Sequence, residues 1–135
     1  MKTLDAPSER SELPASVLRF IKNHIHSVEQ LEVLLLLQKT ADKEWTAEEV
    51  NHLLKSDLIS VGQRLNDLYS RKFLMQRQEG EKIFFRFNLD SSTNASVEEV
   101  GECYKVFAIR IIEAIYLKPD ESMKEFATAF KIRKD

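Results

Sequence analysis

The sequence has little of what many enzymes and secreted proteins depend on. Its 135 residues include one cysteine, three glycines and three histidines. The single cysteine, Cys103, excludes a disulfide within the chain and is compatible with a reducing compartment. The three glycines are isolated from one another, so the chain lacks a glycine-rich loop of the kind that binds phosphates. No segment reaches the ~18 consecutive apolar residues that a membrane-spanning helix needs.

Catalytic and metal-binding motifs are missing as well. His24 and His26 do not have the i, i+4 spacing of a zinc-binding helix, and no serine or cysteine lies in a nucleophile motif. The N-terminal residues lack the apolar stretch of a secretory signal. We therefore expect a cytoplasmic protein that is not an enzyme and does not bind a membrane, with no catalytic residues, no metal and no cofactor.

The charge balance also limits the function. Lysine and arginine total 20 against 22 acidic residues, which gives a net charge of −2. This balance counts against a strongly cationic nucleic-acid binder, because phosphate neutralisation needs a basic patch. Between Asp57 and Asn88, however, the sequence has six basic residues and four acidic ones. A weak basic patch in this part of the chain is therefore predicted.

Two successive helices are predicted from Thr46 to about Arg71. Thr46-Ala47-Glu48-Glu49 is a capping box that starts the first helix, in which Val50, Leu53 and Leu54 follow at helical spacing. Ser56-Asp57 interrupts the pattern with residues typical of turns. Apolar side chains spaced three, four and three then define one face of the second helix: Leu58, Val61, Leu65 and Leu68.

A β-hairpin is predicted directly after these helices. Leu74–Gln78 and Lys82–Phe87 are strand-like runs on either side of Glu79-Gly80-Glu81, a turn that contains glycine. Two helices followed by a hairpin predict a winged helix-turn-helix in a mainly α fold with a small β-hairpin.

At these residues the chain resembles the winged-helix regulators of bacteria, the broad MarR- and PadR-like group. The similar features are the T-x-E-E-V start at Thr46, the L-x-x-L spacing of Leu65 and Leu68, and R-K-F-L-M before the wing. Lys72 stands where this group commonly has glycine. A lysine in the left-handed backbone conformation has a steric cost, so we expect a longer or differently shaped turn there. The whole chain is also similar to an uncharacterised bacterial family labelled as winged-helix.

The remaining segments complete the predicted organisation. We expect a flexible tail over residues 1–12, a winged-helix domain with a leading helix over 13–89, a linker over 90–95 and a helical dimerisation segment over 96–135. Ser27-Val28-Glu29-Gln30 is a second capping box, and the leucine-rich run after it predicts a buried central helix. For Trp45, packing next to the Thr46 cap is favoured over base stacking.

The C-terminal segment is predicted to be more apolar than its own core requires. Ser96-Val97-Glu98-Glu99 reads as a third capping box for a helix that continues to about Leu117, before a break at Lys118-Pro119. Its apolar side chains cover more than half of the circumference, which favours a homodimer. The candidate dimerisation residues are Val100, Tyr104, Phe107, Ile111 and Ile115. A short amphipathic segment at Met123–Phe130 and a basic end at 131–134 follow.

Two functional classes remain open. In the first, the protein is a homodimeric transcriptional regulator that binds double-stranded DNA, and an effector small molecule is left unspecified. The candidate DNA-binding residues are Ser60, Gln63, Arg64 and Asp67 for the major groove, Arg71 and Lys72 for phosphates, and Arg77, Lys82 and Arg86 on the wing. Arg64 is the candidate for a guanine contact and Gln63 for an adenine contact. In the second class, the winged helix binds another protein and not DNA, which the net charge favours.

Overall fold

The computed structural model describes residues 13–117, which form six helices and one two-stranded antiparallel sheet. The elements are α1 (Ala15–His24), α2 (Val28–Lys39), α3 (Ala47–Leu54), α4 (Leu58–Ser70), β1 (Leu74–Glu79), β2 (Lys82–Phe87), α5 (Asn94–Val106) and α6 (Ala108–Tyr116). The predicted winged-helix fold is confirmed. The predictions for the tail over 1–12, the break at Lys118-Pro119, the segment Met123–Phe130 and the basic end at 131–134 lie outside the described residues.

Helix α2 is the centre of the fold, as predicted. Leu31, Val33, Leu34 and Leu37 are fully buried, and the helix packs against α4, α5 and β2. The Ser27 side chain caps the helix by accepting from the Gln30 amide at 3.0 Å. The second half of the predicted capping box differs, because the Gln30 side chain accepts from the amide of residue 26 instead of the Ser27 amide.

The helix-turn-helix consists of α3 and α4. Both bonds of the Thr46 capping box are present, each at 3.1 Å, so this prediction is confirmed. Asp57 caps α4 by accepting from the Ser60 amide at 2.9 Å. The buried stripe of α4 consists of Val61, Leu65 and Leu68. Leu58, predicted on that stripe, is 42% exposed, because it begins the helix at the edge of the core.

The turn from α4 into the wing is a Schellman motif. The Lys72 amide donates to the Tyr69 carbonyl at 2.9 Å, and the Phe73 amide donates to the Leu68 carbonyl at 3.0 Å. Lys72 adopts a φ of 72°. The lysine therefore takes the left-handed conformation that glycine would adopt more easily, and the expected longer or differently shaped turn is not observed.

The wing is the predicted hairpin. Leu74 pairs with Phe87 and Glu79 with Lys82 at the two ends of the sheet, and Gly80 makes the turn with a φ of 64°. Trp45 extends the sheet by exchanging two backbone hydrogen bonds of 2.8 Å with Phe85. Its indole nitrogen donates to Thr40 Oγ1 at 2.9 Å, and its side chain is buried. The packing role predicted for Trp45 is confirmed.

The C-terminal segment differs from its prediction. Helix α5 begins at Asn94, so Ser96 lies inside the helix and the third capping box is wrong. The predicted single helix is divided in two at Phe107. No helix among residues 13–117 has the length and apolar character needed to cross a membrane.

Three of the predicted dimerisation residues belong to the core of the chain itself. Val100, Ile111 and Ile115 are buried, because α5 and α6 pack against α1. They therefore do not form a free face for a second copy, which corrects the assignment made from the sequence. Tyr104 and Phe107 are half-buried against the core. The exposed large apolar residues of this segment are instead Val106, Ile109 and Tyr116 on the helices and Leu117 directly after α6, each more than 65% exposed.

Candidate nucleic-acid interface

The outer face of α4 carries no charge. The side of the helix opposite the buried Val61, Leu65 and Leu68 bears exposed residues at helical spacing, namely Ile59, Gln63, Asn66 and Ser70. Ile59 is 72% exposed. We call these four residues the outer stripe. It can offer amide and hydroxyl hydrogen bonds and one branched apolar surface to a partner.

The predicted α4 residues divide between two sides of the helix. Gln63 lies on the outer stripe and is exposed. Ser60, Arg64, Asp67 and Arg71 lie on a flank that adjoins the N-terminal end of α2, and all four are half-buried. That flank is held by the hydrogen bonds and ion pairs of two neighbouring clusters.

The first cluster surrounds Glu29 in the first turn of α2. Its carboxylate accepts from Arg64 Nε at 2.9 Å and from the hydroxyl groups of Ser56 and Ser60. Burial by itself would raise the pKa of Glu29, but the hydrogen bonds from the two serines and Arg64, with the arginine charge, together lower it below its ordinary value. Glu29 therefore remains an anion that forms an ion pair with Arg64.

The second cluster joins Asp67 to the first turn of α2 and Arg71 to the loop before that helix. Asp67 Oδ2 accepts from Arg71 Nε and from Gln30 Nε2, both at 2.9 Å. Arg71 Nη2 lies 2.9 Å from His26 Nε2. A guanidinium group can only donate, so this contact requires an unprotonated Nε2 on His26. The two clusters together hold the flank of α4 against the N-terminal end of α2 and the loop before it.

On the wing, Arg77 is also paired within the chain. Its guanidinium group contacts Glu44 at 2.7 and 2.9 Å and Glu79 at 2.8 Å, and it lies 4.6 Å from the centre of the Phe84 ring. The hydrogen bond from Arg77 lowers the pKa of Glu44. Three other predicted cations, Lys72, Lys82 and Arg86, are exposed and form no ion pair with the described residues.

A cleft separates α4 from the wing. Its volume is about 540 Å³, and its lining includes the start of α3, Gly62 and Asn66 of α4, and residues 81–85 of the hairpin. A Cβ atom added at Gly62 would meet nothing within 4 Å, so this part of the helix surface is open. The cleft gives a bulky partner access to Asn66 and to the wing at the same time.

Ile59, Asn66 and Ser70 were not among the residues predicted from the sequence. The prediction collected charged and polar side chains near the middle of α4. These residues could have been predicted from their position opposite the buried stripe, because residues on that side of the helix face solvent. Glu29 was missed because its contact with Arg64 spans 35 positions along the chain.

In the part of the chain that the structure describes, no group of three or more histidine, cysteine or acidic side chains is arranged to hold a metal ion. Cys103 is half-buried, and burial together with Glu99 and Glu102 raises the pKa of its thiol. A thiol with a raised pKa is less nucleophilic at neutral pH than an ordinary one.

The fold of this chain is similar to solved structures of winged-helix regulators. BpsR of Bordetella bronchiseptica, in a structure on the regulation of its DNA binding by 6-hydroxynicotinic acid, has a TM-score of 0.50 and 18% identity over 98% of this chain and 88% of its own. Reduced HlyU of Vibrio cholerae has a TM-score of 0.48 and 18% identity over 79% and 98%. A mutant MarR of E. coli with operator DNA has a TM-score of 0.48 and 11% identity over 95% and 89%.

At these identities the structural comparisons concern the fold alone. No family model and no curated protein sequence matches the chain.

Proposed function

We propose that this protein is a DNA-binding transcriptional regulator of the winged-helix type, in which α4 enters the major groove. The observation that carries this proposal is the uncharged, exposed outer stripe with Gln63 and Asn66 at its centre. The major groove admits an α-helix and presents donors and acceptors on the base edges. Side-chain amides supply both kinds of group, so they match this surface.

The proposed phosphate contacts come from the cations without an ion pair to a described residue. Lys72 follows the C-terminal end of α4, and Lys82 and Arg86 lie on β2 of the wing. Phosphate contacts orient a protein on the duplex without reading its sequence. Arg64, Arg71 and Arg77, also predicted from the sequence, would have to exchange a carboxylate for a phosphate, so their part in binding stays a prediction.

We further propose that two copies associate through the exposed apolar residues of α5 and α6. Val106, Ile109, Tyr116 and Leu117 are exposed among the described residues, and Ile109 and Tyr116 lie seven residues apart on one side of α6. Large exposed apolar side chains on one side of a helix favour association. A dimer would place two α4 helices against half-sites about 34 to 36 Å apart. Ile109→Ser should shift the sedimentation coefficient to that of a monomer. Leu89→Ser, at an exposed leucine before α5, should leave it unchanged.

Salt-dependent binding to DNA tests the proposed function. Duplexes selected from a random library should bind the protein, and the logarithm of the affinity should fall linearly with that of the salt concentration. Changing Lys72, Lys82 and Arg86 together to glutamine should reduce the slope by about 0.9 for each phosphate that the variant no longer neutralises. The matched control changes Lys22, Lys39 and Lys105 to glutamine, with the same loss of charge, and should keep the slope. Absence of binding at low salt would refute the proposal.

One observation favours the second functional class, a protein-interaction module. The three arginines predicted at the interface, Arg64, Arg71 and Arg77, are each paired with a carboxylate of the same chain. This pairing lowers the positive potential available to attract DNA. An interaction module should show no salt-dependent binding to any selected duplex, whereas a regulator should show it.

A further inference from the structure

The chemistry of the outer stripe indicates which base pairs the proposed regulator would bind. Ile59, Gln63 and Asn66 follow at intervals of four and three residues, so their side chains lie in one row along α4. Ile59 is the second residue of the helix, and the N-terminal residues of a recognition helix are the ones that contact base edges. The row therefore begins at the end of the helix that would lie deepest in the groove.

Ile59 lies outside the hydrophobic core of the described residues. Its side chain is 72% exposed, while Val61, Leu65 and Leu68 fill the opposite side of the helix and are fully buried. A branched apolar side chain between polar neighbours can contact one apolar group in the major groove, the C5-methyl group of thymine. No other base carries an alkyl group at this surface.

The two amides that follow Ile59 match the partner of thymine. A glutamine or asparagine side chain can accept from adenine N6 and donate to adenine N7 at the same time. Guanine is read most often by arginine or lysine, and the outer stripe has neither. The nearest arginine on α4, Arg64, donates to Glu29 at 2.9 Å and lies on the flank.

Resting on the proposed function, we infer that α4 selects A·T base pairs, with Ile59 contacting the thymine methyl group and Gln63 and Asn66 contacting adenine. This replaces the guanine contact predicted from the sequence for Arg64. Selection from a random duplex library should enrich A·T pairs at the positions that α4 covers. Enrichment of G·C pairs there would overturn the inference.

Uracil substitution tests the methyl contact directly. A uracil twin of the selected duplex, in which every thymine is replaced by uracil, differs only in the absence of the C5-methyl groups. The wild-type protein should bind the twin about fourfold more weakly for each contacted methyl group, the value expected for one buried carbon. Ile59→Ala, which loses most of the apolar surface of the side chain, should show a smaller preference for the thymine duplex than the wild type. Leu53→Ala, at an exposed leucine of α3, is the matched control and should keep the preference for thymine.

The outcomes separate the inference from the function on which it rests. If the wild-type protein binds no duplex at low salt, the proposed function fails. If it binds with the expected salt dependence but shows equal affinity for the thymine and uracil duplexes, only the inference fails. The wild-type comparison needs no variant, so it decides the matter even if Ile59→Ala is poorly folded. Circular dichroism spectra of the variants establish whether they are folded.

Discussion

Arg64 Nε of α4 donates to Glu29 Oε1 of α2 at 2.9 Å. An arginine at the candidate DNA interface is therefore already paired with a carboxylate of the protein. The same carboxylate accepts from Ser56 and Ser60 and thereby holds the start of α4 against α2. Glu29 thus has two effects in the protein. It fixes the orientation of α4, and it limits the attraction of Arg64 to phosphates.

Replacing Glu29 by glutamine should strengthen binding to DNA of any sequence. The variant no longer neutralises Arg64, so the guanidinium group becomes available to a phosphate and the salt dependence of binding should become steeper. Fluorescence anisotropy with an unselected duplex at several salt concentrations measures both quantities. Glu32→Gln, on another side of α2, removes the same charge and serves as the control. A gain of equal size in both variants would indicate a general charge effect and contradict the role given to Glu29.

The same variant should be less stable than the wild type at neutral pH by about 1.5 to 3 kcal/mol, the range for hydrogen bonds to a charged group. The pKa of Glu29 is lowered by folding, so its contribution is present above the ordinary pKa of about 4.3 and is lost as the pH falls through the lowered value. Urea unfolding at pH 7 and at pH 3 measures this. The difference between wild type and variant should shrink at the lower pH, and a constant difference would contradict the electrostatic explanation.

Replacing His24 by phenylalanine should reduce the loss of stability on mild acidification. Burial, followed by the charges of Arg71 and His26, lowers the pKa of His24. The unfolded chain therefore binds a proton more readily, and stability falls as the pH drops below about 6.5. The ring lies between Phe20 and Phe73 at 5.0 and 5.2 Å, so phenylalanine preserves an aromatic contact.

Thermal unfolding between pH 5.5 and 7.5 measures this effect of His24. His52→Gln, at an exposed histidine of α3, is the control and should keep the wild-type pH dependence. An unchanged pH dependence in His24→Phe would show that His24 does not titrate as described.

Replacing Lys72 by glycine should increase stability by about 0.5 to 1 kcal/mol, since the left-handed conformation costs a non-glycine residue about 1 to 2 kcal/mol and glycine loses more entropy on folding. Lys55→Gly is the matched control, because Lys55 has a φ of 54° at the end of α3. Both variants should be stabilised in urea unfolding. Only Lys72→Gly should bind DNA more weakly, and equal affinities of the two variants for the selected duplex would remove Lys72 from the proposed interface.

Replacing Thr46 by alanine should destabilise the protein by about 1 kcal/mol through the loss of a helix cap. Ser96→Ala should cause little loss, because Ser96 lies inside α5 and makes no capping bond at its start. Chemical denaturation of both variants compares two positions with the same S/T-x-x-E pattern. A loss at Ser96 as large as that at Thr46 would contradict the observed start of α5.

The local patterns predicted the elements better than the surfaces. The cap at Thr46, the buried stripe of α4 and the glycine turn of the wing depend on neighbours within a few residues, so the sequence was sufficient for them. The side toward which each exposed residue faces depends on distant partners. Arg64 pairs with Glu29, and Val100 packs in the core next to α1. Both contacts join residues far apart in the sequence, so a short sequence pattern cannot predict them. The predicted interface therefore contained residues that the fold uses internally.

The most direct test of the central claim is the NMR spectrum of the side-chain amide groups during titration with a selected duplex. If α4 reads bases through its outer stripe, the amide signals of Gln63 and Asn66 should shift or broaden in proportion to bound DNA. The side-chain amide signal of Gln38, which lies next to Gly101 of α5, should stay in place apart from the broadening caused by the larger size of the complex. Unchanged Gln63 and Asn66 signals, with binding detected elsewhere on the protein, would contradict base reading by α4.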